Sequence, residues 1–267
     1  IGSHTAELLS KEKKIKKIIL IDNLKDGSKK NLQLIIKNPK IKLIKADINN
    51  KKNILPYFKN ASCVVHLAAL SDIVPSIEQP TEYLSNNIMG TVNILECMRE
   101  NKVKKIIYSA SSSCYGLAKK LPTKEIDQID CRYPYAFSKY IGELTIKHWA
   151  QVYGINYISL RLFNVYGTRS RTHGAYGAAL GVFLKQKLEN KPLTIVGSGN
   201  QKRDFINVKD VAKAIKLSIF SNKKNLTLNI GSSKPRSVNF LANLISKKKI
   251  NIPKRPGEPL ITYANIA

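Results

Sequence analysis

Short apolar runs alternate with longer segments of mixed apolar and polar residues over most of the chain. The apolar runs predict strands at 18–22, 41–45, 63–67, 105–109, 157–162, 193–196 and 226–230. The mixed segments predict helices at 5–9, 81–100, 135–153, 178–189, 208–220 and 238–246. Strands and helices that alternate in this way predict a doubly wound parallel sheet of the Rossmann type, with helices on both faces.

Two of these segments carry a further prediction. The run 63–67 is apolar without interruption, as in a parallel strand buried on both faces, and we expect His66 inside it to be a packed structural histidine. The helix 135–153 is followed by Gly154, a residue typical of a helix C-cap.

The regular alternation of strand and helix ends near residue 168. We therefore predict a cofactor-binding domain at 1–167, completed by 203–232, and a smaller substrate-binding lobe made of 168–202 and 233–267. Ligands of such folds bind at the carboxyl ends of the strands. Ser111 and the segment Leu67-Ala68-Ala69 both fall at such ends.

The chain has 267 residues and a formal net charge of +27, from 45 Lys and Arg against 18 Asp and Glu. This charge suggests a polyanion partner. The lysines, however, are spread over nearly every segment and are not interleaved with aromatic residues that could stack on bases. We expect no specific nucleic-acid partner.

The four cysteines have no metal-ligand spacing, and we expect no metal site. Cys63 and Cys97 lie in apolar patterns and are predicted to be buried thiols of a reducing compartment. No apolar run approaches the length of a membrane span, and the start lacks the apolar core of a signal peptide. We expect a cytoplasmic protein without a membrane partner.

Candidate chemistry is concentrated in residues 105–139. A strand there leads into a serine-rich turn at 109–113, and Tyr135 and Lys139 follow at a helix start. Residues four apart share one helix face. A nearby ammonium favours the phenolate form of a tyrosine. The pattern thus indicates a Tyr135 acid/base, a Lys139 that tunes it and a Ser111 that orients the substrate. A tyrosine and a lysine at this spacing also occur on ordinary solvated helix faces.

An ordered set of motifs accompanies this pattern: IGSH, LIDNL, KADI, VVHLAAL, NNIMGTVNILE, YSASSSCYG, YPYAFSK, RLFNVYG, GNQKRDFINVKDVA, LNIGS and KRPGEP. The set resembles the extended short-chain dehydrogenase/reductases, and within them the nucleotide-sugar epimerases of the UDP-glucose 4-epimerase type. The resemblance covers essentially the whole chain. It also implies that the first strand and two glycines of the nucleotide motif lie before residue 1, and that family members run on beyond residue 267.

The resemblance implies NAD as the cofactor. Asp22 lies 20 residues after Gly2, close to the spacing for a carboxylate on the adenosine ribose, and it disfavours the 2′-phosphate of NADP. The cofactor-binding residues it implies are Gly2, Asp22, Asn23, Asp47, Ile48, Leu67, Ala68, Ala69, Asn87, Tyr135 and Lys139.

By the same resemblance, Tyr135 takes the proton of the sugar 4-hydroxyl, Ser111 binds the 4-oxygen, and a 4-keto sugar forms before the hydride returns. The implied substrate-binding residues are Ser111, Asn164, Arg203, Arg255 and Thr262. The two arginines are candidate clamps for the diphosphate. Thr262 lies seven residues after Arg255, where a small residue leaves room for an N-acetyl group at C2.

Other functions stay open at this point. A nucleotide-sugar 4,6-dehydratase needs an acid where this chain has Ser112 and Ser113. An NAD-binding regulatory protein without turnover would not need an intact Ser111, Tyr135 and Lys139. The resemblance implies a homodimer through helices 81–100 and 135–153, although these helices could equally face the core of one chain.

Overall fold

The computed structural model describes residues 1–170, 179–253 and 259–267. Its strands, in chain order, are β1 (Ile18–Asp22), β2 (Ile41–Lys45), β3 (Val64–His66), β4 (Lys105–Ser111), β5 (Asn156–Leu162), β6 (Asn164–Tyr166), β7 (Leu193–Val196), β8 (Lys202–Asn207), β9 (Leu226–Ile230), β10 (Pro235–Ser237), β11 (Lys249–Ile252) and β12 (Ile261–Thr262).

The α-helices of the same residues, in chain order, are α1 (Gly2–Ser10), α2 (Lys51–Ile54), α3 (Ile73–Glu78), α4 (Pro80–Leu84), α5 (Gly90–Glu100), α6 (Pro134–Tyr153), α7 (Ala179–Leu188), α8 (Val208–Phe220) and α9 (Val238–Asn243). Helix α6 begins with a proline in its first turn, where the missing N–H costs no bond, and ends at Gly154 with φ 64°. The predicted cap at Gly154 is therefore confirmed.

The main sheet is parallel and has the strand order β3-β4-β5-β9. Strands β1 and β2 form a separate parallel pair. Successive side chains of β4 point to opposite faces. Ile106 and Tyr108 enter a core with residues of α5 and α6, whereas Ile107 enters a second core with Val211 and Ile215 of α8. Helices thus cover both faces of the sheet, and the predicted α/β doubly wound architecture is confirmed.

A smaller group of elements lies in the C-terminal part. Strands β7 and β11 pair in parallel, and the helices α7 and α9 pack on them around Phe183, Leu193, Ile195 and Ala242. Strand β8 pairs with β6 and also with β10 and β12. Strand β6 directly follows β5 of the main sheet. Through its pairing with β6, β8 therefore connects β10 and β12 to the end of the main sheet.

Several local predictions need correction. Strand β4 continues to Ser111, because Ser109 and Ser111 pair with Leu160 and Leu162 of β5, so the serine turn begins at Ser112. The run 63–67 is a strand only over Val64–His66, and its valines are partly exposed. Cys63 is also only partly buried, whereas Cys97 is buried, and all four cysteines are free.

The predicted helix 81–100 is also not uniform. It comprises α4, a π-helical turn at Ser85–Met89 and α5. Such π-helical turns are rare, and those that occur are frequently at functional sites. His66 is 2% exposed and its Nε2 lies 2.9 Å from the Thr91 hydroxyl, which confirms it as a packed histidine.

Within residues 1–170, 179–253 and 259–267, no helix is both long enough and apolar enough to cross a bilayer. The same part of the chain brings together no group of three or more His, Cys, Asp or Glu side chains that could hold a metal ion.

Candidate active site

The end of β4 positions the first predicted side chain of the site. Ser111 caps the 3₁₀ turn Ser112–Tyr115, and its hydroxyl oxygen accepts a hydrogen bond from the Ser113 N–H at 3.2 Å. The two hydroxyls of Ser111 and Ser113 lie 2.7 Å apart. The strand therefore delivers two coupled hydroxyl groups at the carboxyl edge of the sheet, where ligands of this fold class bind.

Helix α6 positions the other two. Tyr135 is its second residue and Lys139 follows one turn later on the same face. The Ser111 hydroxyl forms a hydrogen bond with the Tyr135 phenol, so residues 24 positions apart in sequence meet at one point. Lys139 is 4% exposed, with its ammonium 4.2 Å from the centroid of the Tyr108 ring.

Burial governs the proton affinities of this set. It raises the pKa of Tyr135 above its ordinary value, while the hydrogen bond with Ser111 acts in the opposite direction and the charge of Asp72 adds to the rise. Burial also lowers the pKa of Lys139 to about 7. An ammonium that loses water without gaining a carboxylate is destabilised in its charged form.

Asn87, in the π-helical turn, holds the surrounding segments together. Its side chain accepts a hydrogen bond from the Leu70 N–H at 2.8 Å and donates to the Leu70 carbonyl at 3.0 Å. It also donates to the Ser138 hydroxyl at 2.8 Å, directly beside Lys139. The loop after β3 is therefore tied to the helix that carries Tyr135 and Lys139.

A group of polar side chains follows β1 and β2. Asp22, at the end of β1, is exposed and accepts a hydrogen bond from the Leu24 N–H at 2.7 Å. Asn23 donates to Asp47 at 2.9 Å. Burial pushes the pKa of Asp47 upwards, but hydrogen bonds from Asn23 and Asn49 outweigh it and the net shift is downwards. Ile48 is buried and packs where Gly90 leaves space, since a Cβ there would lie 2.5 Å from its Cδ1.

Gly2 is the first residue of α1 and lies beside Leu67. A Cβ added at Gly2 would lie 3.6 Å from the Leu67 Cδ1, which is ordinary contact, so helix packing alone does not demand glycine there. The N-terminus of a helix with this length is a favourable environment for phosphate.

One cleft of about 2020 Å³ joins these elements. The predicted residues that line it are Gly2, Asp22, Ile48, Leu67, Ala68, Ala69, Ser111, Tyr135, Lys139, Asn164, Arg203 and Thr262. Asn23, Asp47 and Asn87 are not among the lining residues, although Asn23 and Asp47 directly adjoin Asp22 and Ile48 in the chain. The sequence therefore predicted a set of residues that the fold brings to one cavity.

Another wall of the cleft is built on β6, β8 and β12. Thr262 of β12 lies opposite Arg203 of β8 in the strand register, and Arg203 donates to the Pro259 carbonyl at 2.8 Å. Asn164 is exposed and pairs in register with Phe205. Arg255, the second predicted diphosphate clamp, lies outside the described residues.

Sequence reasoning did not identify a buried ion pair under the site. Arg161 of β5 donates to both carboxylate oxygens of Glu143 of α6, at 3.0 and 2.7 Å. Arg161 also donates to the Tyr115 phenol at 2.8 Å, at the end of the serine turn. A signal was present in the sequence, because Arg161 is the single charged residue of the apolar strand Asn156–Leu162. Its partner on another element could not be chosen from one sequence.

The chain is similar to proteins of one known family. A profile of the NAD dependent epimerase/dehydratase family matches residues 1–231. A Methanocaldococcus jannaschii protein, provisionally named a UDP-glucose 4-epimerase, is 39% identical over 247 residues, which cover 92% of this chain and 78% of that protein.

Two solved structures are similar over almost all of the chain. The UDP-N-acetylglucosamine 4-epimerase of Methanobrevibacter ruminantium, in complex with UDP-N-acetylmuramic acid, has a TM-score of 0.93 and 33% identity, covering 100% of this chain and 86% of that one. The UDP-glucose 4-epimerase of Thermus thermophilus, in complex with NAD, has a TM-score of 0.88 and 26% identity, covering 99% and 86%.

The family profile extends over far more than half of the chain, and the similar structures share its α/β fold. The chain is therefore an enzyme of the NAD dependent epimerase/dehydratase family, a nucleotide-sugar-modifying protein whose cofactor is NAD.

Proposed function

We propose that this protein interconverts the C4 epimers of a UDP-sugar by way of a transient 4-keto sugar. The observation that carries the proposal is the meeting of Ser111, Tyr135 and Lys139 at the carboxyl edge of the sheet, in the cleft that Asp22 and Thr262 also line. The similar proteins that carry epimerase names support this choice of reaction.

In this proposal Tyr135 accepts the proton of the sugar 4-hydroxyl and later returns it to the 4-oxygen. Lys139, one turn along the same face, stabilises the phenolate through its positive charge. The Ser111 hydroxyl, already bonded to the phenol, holds the 4-oxygen in line with it. NAD would supply the hydride chemistry at C4, and Asp22 and Lys139 are among the residues that would hold it. No net proton leaves the site, because Tyr135 ends the cycle as it began.

The cofactor-binding roles proposed from the sequence fit the chemistry of the cleft. The Asp22 carboxylate is exposed at the end of β1 and offers two acceptors for ribose hydroxyls. Ala68 and Ala69 present little side-chain volume to the cleft, so a ligand can approach the backbone after β3. These residues would hold the adenosine side of NAD, and Lys139 would bond the nicotinamide ribose.

A nucleotide-sugar 4,6-dehydratase is the competing reaction within this family. Its chemistry needs an acid that protonates the departing 6-hydroxyl. The two residues after Ser111 are Ser112 and Ser113, and a hydroxyl of ordinary pKa cannot supply that proton at neutral pH. This absence of an acid in the serine turn favours epimerisation.

We propose further that the substrate side of the cleft accepts an N-acetylated sugar. Thr262, which is small, lines the cleft opposite Arg203. The bulky neighbour Tyr263 is held through its carbonyl, which accepts a hydrogen bond from the Thr123 N–H at 2.9 Å. With Thr262 as the wall residue, an N-acetyl group at C2 finds space. A tyrosine there would have to be displaced, at about 1–3 kcal/mol.

The face of α6 that is not used by the core supports a homodimer. Phe137 and Leu144, seven residues apart on α6, are 46% and 38% exposed, and Met89 of the neighbouring π-helical turn is 51% exposed. Residues seven apart share one helix face. We propose that this face packs on its copy in a second chain, so that Leu144→Glu would give a monomer in light scattering while the parent runs as a dimer.

The activity is tested by incubating the protein and NAD with a panel of UDP-hexoses and their N-acetylated forms, followed by chromatography. We expect interconversion of one C4 pair. Tyr135→Phe should lower turnover about a hundredfold or more, the usual scale for a general base, while NAD still binds. A 4-keto-6-deoxy product would instead identify a dehydratase, and NAD binding without any product would identify a regulatory protein.

The sugar preference is tested by comparing kcat/KM for UDP-N-acetylglucosamine and UDP-glucose in the parent and in Thr262→Tyr. In the variant, kcat/KM for UDP-N-acetylglucosamine relative to UDP-glucose should fall about tenfold or more, which corresponds to a steric cost of about 1–3 kcal/mol. A ratio that does not change would show that Thr262 is not the wall residue.

A further inference from the structure

Lys139 is a buried cation with an unusual neighbour. Its side chain is 4% exposed, and its ammonium lies 4.2 Å from the centroid of the Tyr108 ring. Within the described part of the chain, none of the ion pairs includes Lys139, and burial is the cause that shifts its proton affinity. A buried ammonium without a carboxylate is normally paired in another way or becomes neutral.

The Tyr108 ring is itself held firmly in place. It is fully buried in β4, and its hydroxyl donates to the Lys139 carbonyl at 3.1 Å. His66 packs against it with ring centroids 5.3 Å apart. Gly142, one turn after Lys139, leaves the space for the phenol, since a Cβ there would lie 2.5 Å from the Tyr108 hydroxyl oxygen. Ring and ammonium are therefore fixed relative to each other by three separate elements.

The titratable groups around this pair reach it from several elements: His66 on β3, Asp72 at the start of α3, Tyr108 on β4, Cys114 in the serine turn, and Tyr135 and Glu143 on α6. Burial lowers the pKa of His66 to about 3, so it is neutral. Burial likewise raises the pKa of Cys114 to about 12. Glu143 is committed to Arg161, and Asp72 acts on Tyr135.

We propose that Tyr108 is a positioning residue for the reaction: the π face of its ring holds the Lys139 ammonium charged and oriented in a place where other proteins would use a carboxylate. A ring attracts a cation through its quadrupole and carries no net charge. A carboxylate would stabilise the ammonium but would cancel its field at Tyr135. The ring therefore favours the charged form of Lys139 without weakening the field of that charge at the phenolate.

The direct test is a titration of Lys139 by NMR in protein labelled at lysine Cε, with the signal assigned through Lys139→Met. Tyr108→Phe keeps the ring and should leave the Lys139 pKa close to that of the parent. Tyr108→Leu removes the ring and should lower the Lys139 pKa by about one unit, a tenfold change in the ratio of ammonium to amine. The matched control is Ile106→Ala, which empties the same face of β4 two residues away and should leave the titration unchanged.

A second variant acts on the ring from the other side. Gly142→Ala places a methyl group against the Tyr108 hydroxyl and should also lower the Lys139 pKa. The fall in the Lys139 pKa should be smaller when Gly142→Ala is combined with Tyr108→Phe, because the hydroxyl that the new methyl group would contact is absent there. This pair of variants keeps the test decisive if Tyr108→Leu does not fold.

The kinetic readout, which rests on the proposed function, is the pH profile of kcat/KM. The alkaline limb should move by about one unit towards lower pH in Tyr108→Leu and stay in place in Ile106→Ala. An unchanged Lys139 titration in folded Tyr108→Leu or Gly142→Ala would overturn the inference, even if epimerisation is found. If no UDP-sugar reacts, the proposed function fails, while the NMR titration still decides the role of Tyr108.

Discussion

Arg161 and Lys139 are both buried cations of this protein, and their surroundings are opposite in kind. Arg161 is 3% exposed and donates to Glu143, to Tyr115 and to the Glu125 carbonyl. Lys139 is 4% exposed, and its neighbour is the Tyr108 ring. The two residues lie on adjoining elements of one core, β5 and α6, so the difference arises from their partners and not from their depth.

Proton affinity follows this difference. Burial alone would lower the pKa of Arg161, but the hydrogen bonds to Glu143 outweigh it and the pKa is raised further. For Lys139 burial is the cause of the shift, and its pKa falls to about 7. A buried cation that is hydrogen-bonded to a carboxylate stays charged and contributes to the stability of the fold. The pKa of a buried cation without a carboxylate depends on its surroundings, and such shifted pKa values are typical of catalytic sites.

The largest effect is expected from breaking the paired cation. Arg161→Met leaves the Glu143 carboxylate buried with hydrogen bonds from Lys147 and Ser159, and the free energy of unfolding should fall by about 3–5 kcal/mol. Denaturant titration measures this loss. The double variant Arg161→Met with Glu143→Gln should recover part of it, and a loss below about 1 kcal/mol in the single variant would contradict the comparison.

Removing the other cation should affect turnover and not stability. Lys139→Met keeps the length of the side chain and removes the charge that stabilises the Tyr135 phenolate, so kcat should fall about a hundredfold or more. The midpoint of thermal unfolding should stay the same or rise, because the cost of burying an ammonium is removed. A clear drop in that midpoint would show that Lys139 also has a structural role.

The third prediction concerns pH. The folded pKa of Lys139, about 7, lies below the ordinary value, so the unfolded chain binds more protons between about pH 7 and 10.4. Below about pH 7 the free energy of unfolding of the parent, compared with Lys139→Met, should be lowered by the full cost of burying the charged ammonium. The parent should then gain up to about 1.4 kcal/mol per pH unit as pH rises through that window. If the free energies of unfolding of the two proteins changed equally with pH over this window, the low pKa of Lys139 would be refuted.

The smallest effect is expected at the edge of the Arg161 network. Tyr115 donates to Asn229 at 2.7 Å and accepts from Arg161. Tyr115→Phe removes these two bonds, but Arg161 keeps Glu143 and the Glu125 carbonyl, so the loss of unfolding free energy should be about 0.5–1.5 kcal/mol. Turnover of the variant is the second measurement, and a loss as large as that of Lys139→Met would place Tyr115 among the residues of the reaction.

Local pattern was a good guide to the elements. The strands Ile41–Lys45 and Leu193–Val196 and the helix Val208–Phe220 have the predicted bounds, because apolar periodicity is a property of consecutive residues. Strand β4 was predicted too short, since Ser109 and Ser111 look like turn residues and are held in the sheet by Leu160 and Leu162. Pairing between distant segments overrode local preference there.

In the candidate site, too, the features set by nearby residues could be predicted, and those set by distant segments could not. Tyr135 and Lys139 could be placed on one helix face from their spacing, and the motif order led to the family and to NAD. Spacing could not show that Thr262 lies opposite Arg203, since that contact spans 59 positions of chain and depends on the β8–β12 register. It also could not show that Asn87 reaches Ser138, or that Glu143 accepts from Arg161.

By itself the sequence determined the type and order of the elements, the fold class and the acid/base pair on α6, because each of these is encoded in residues a few positions apart. Only the tertiary structure decided which buried cation is paired and which is not. Glu143 lies on α6 one turn after Lys139, yet its carboxylate pairs with Arg161 of β5, whereas the space at Gly142 lets the Tyr108 ring lie beside Lys139. The environment of a charge is set by neighbours distant in sequence, and that environment fixes its proton affinity.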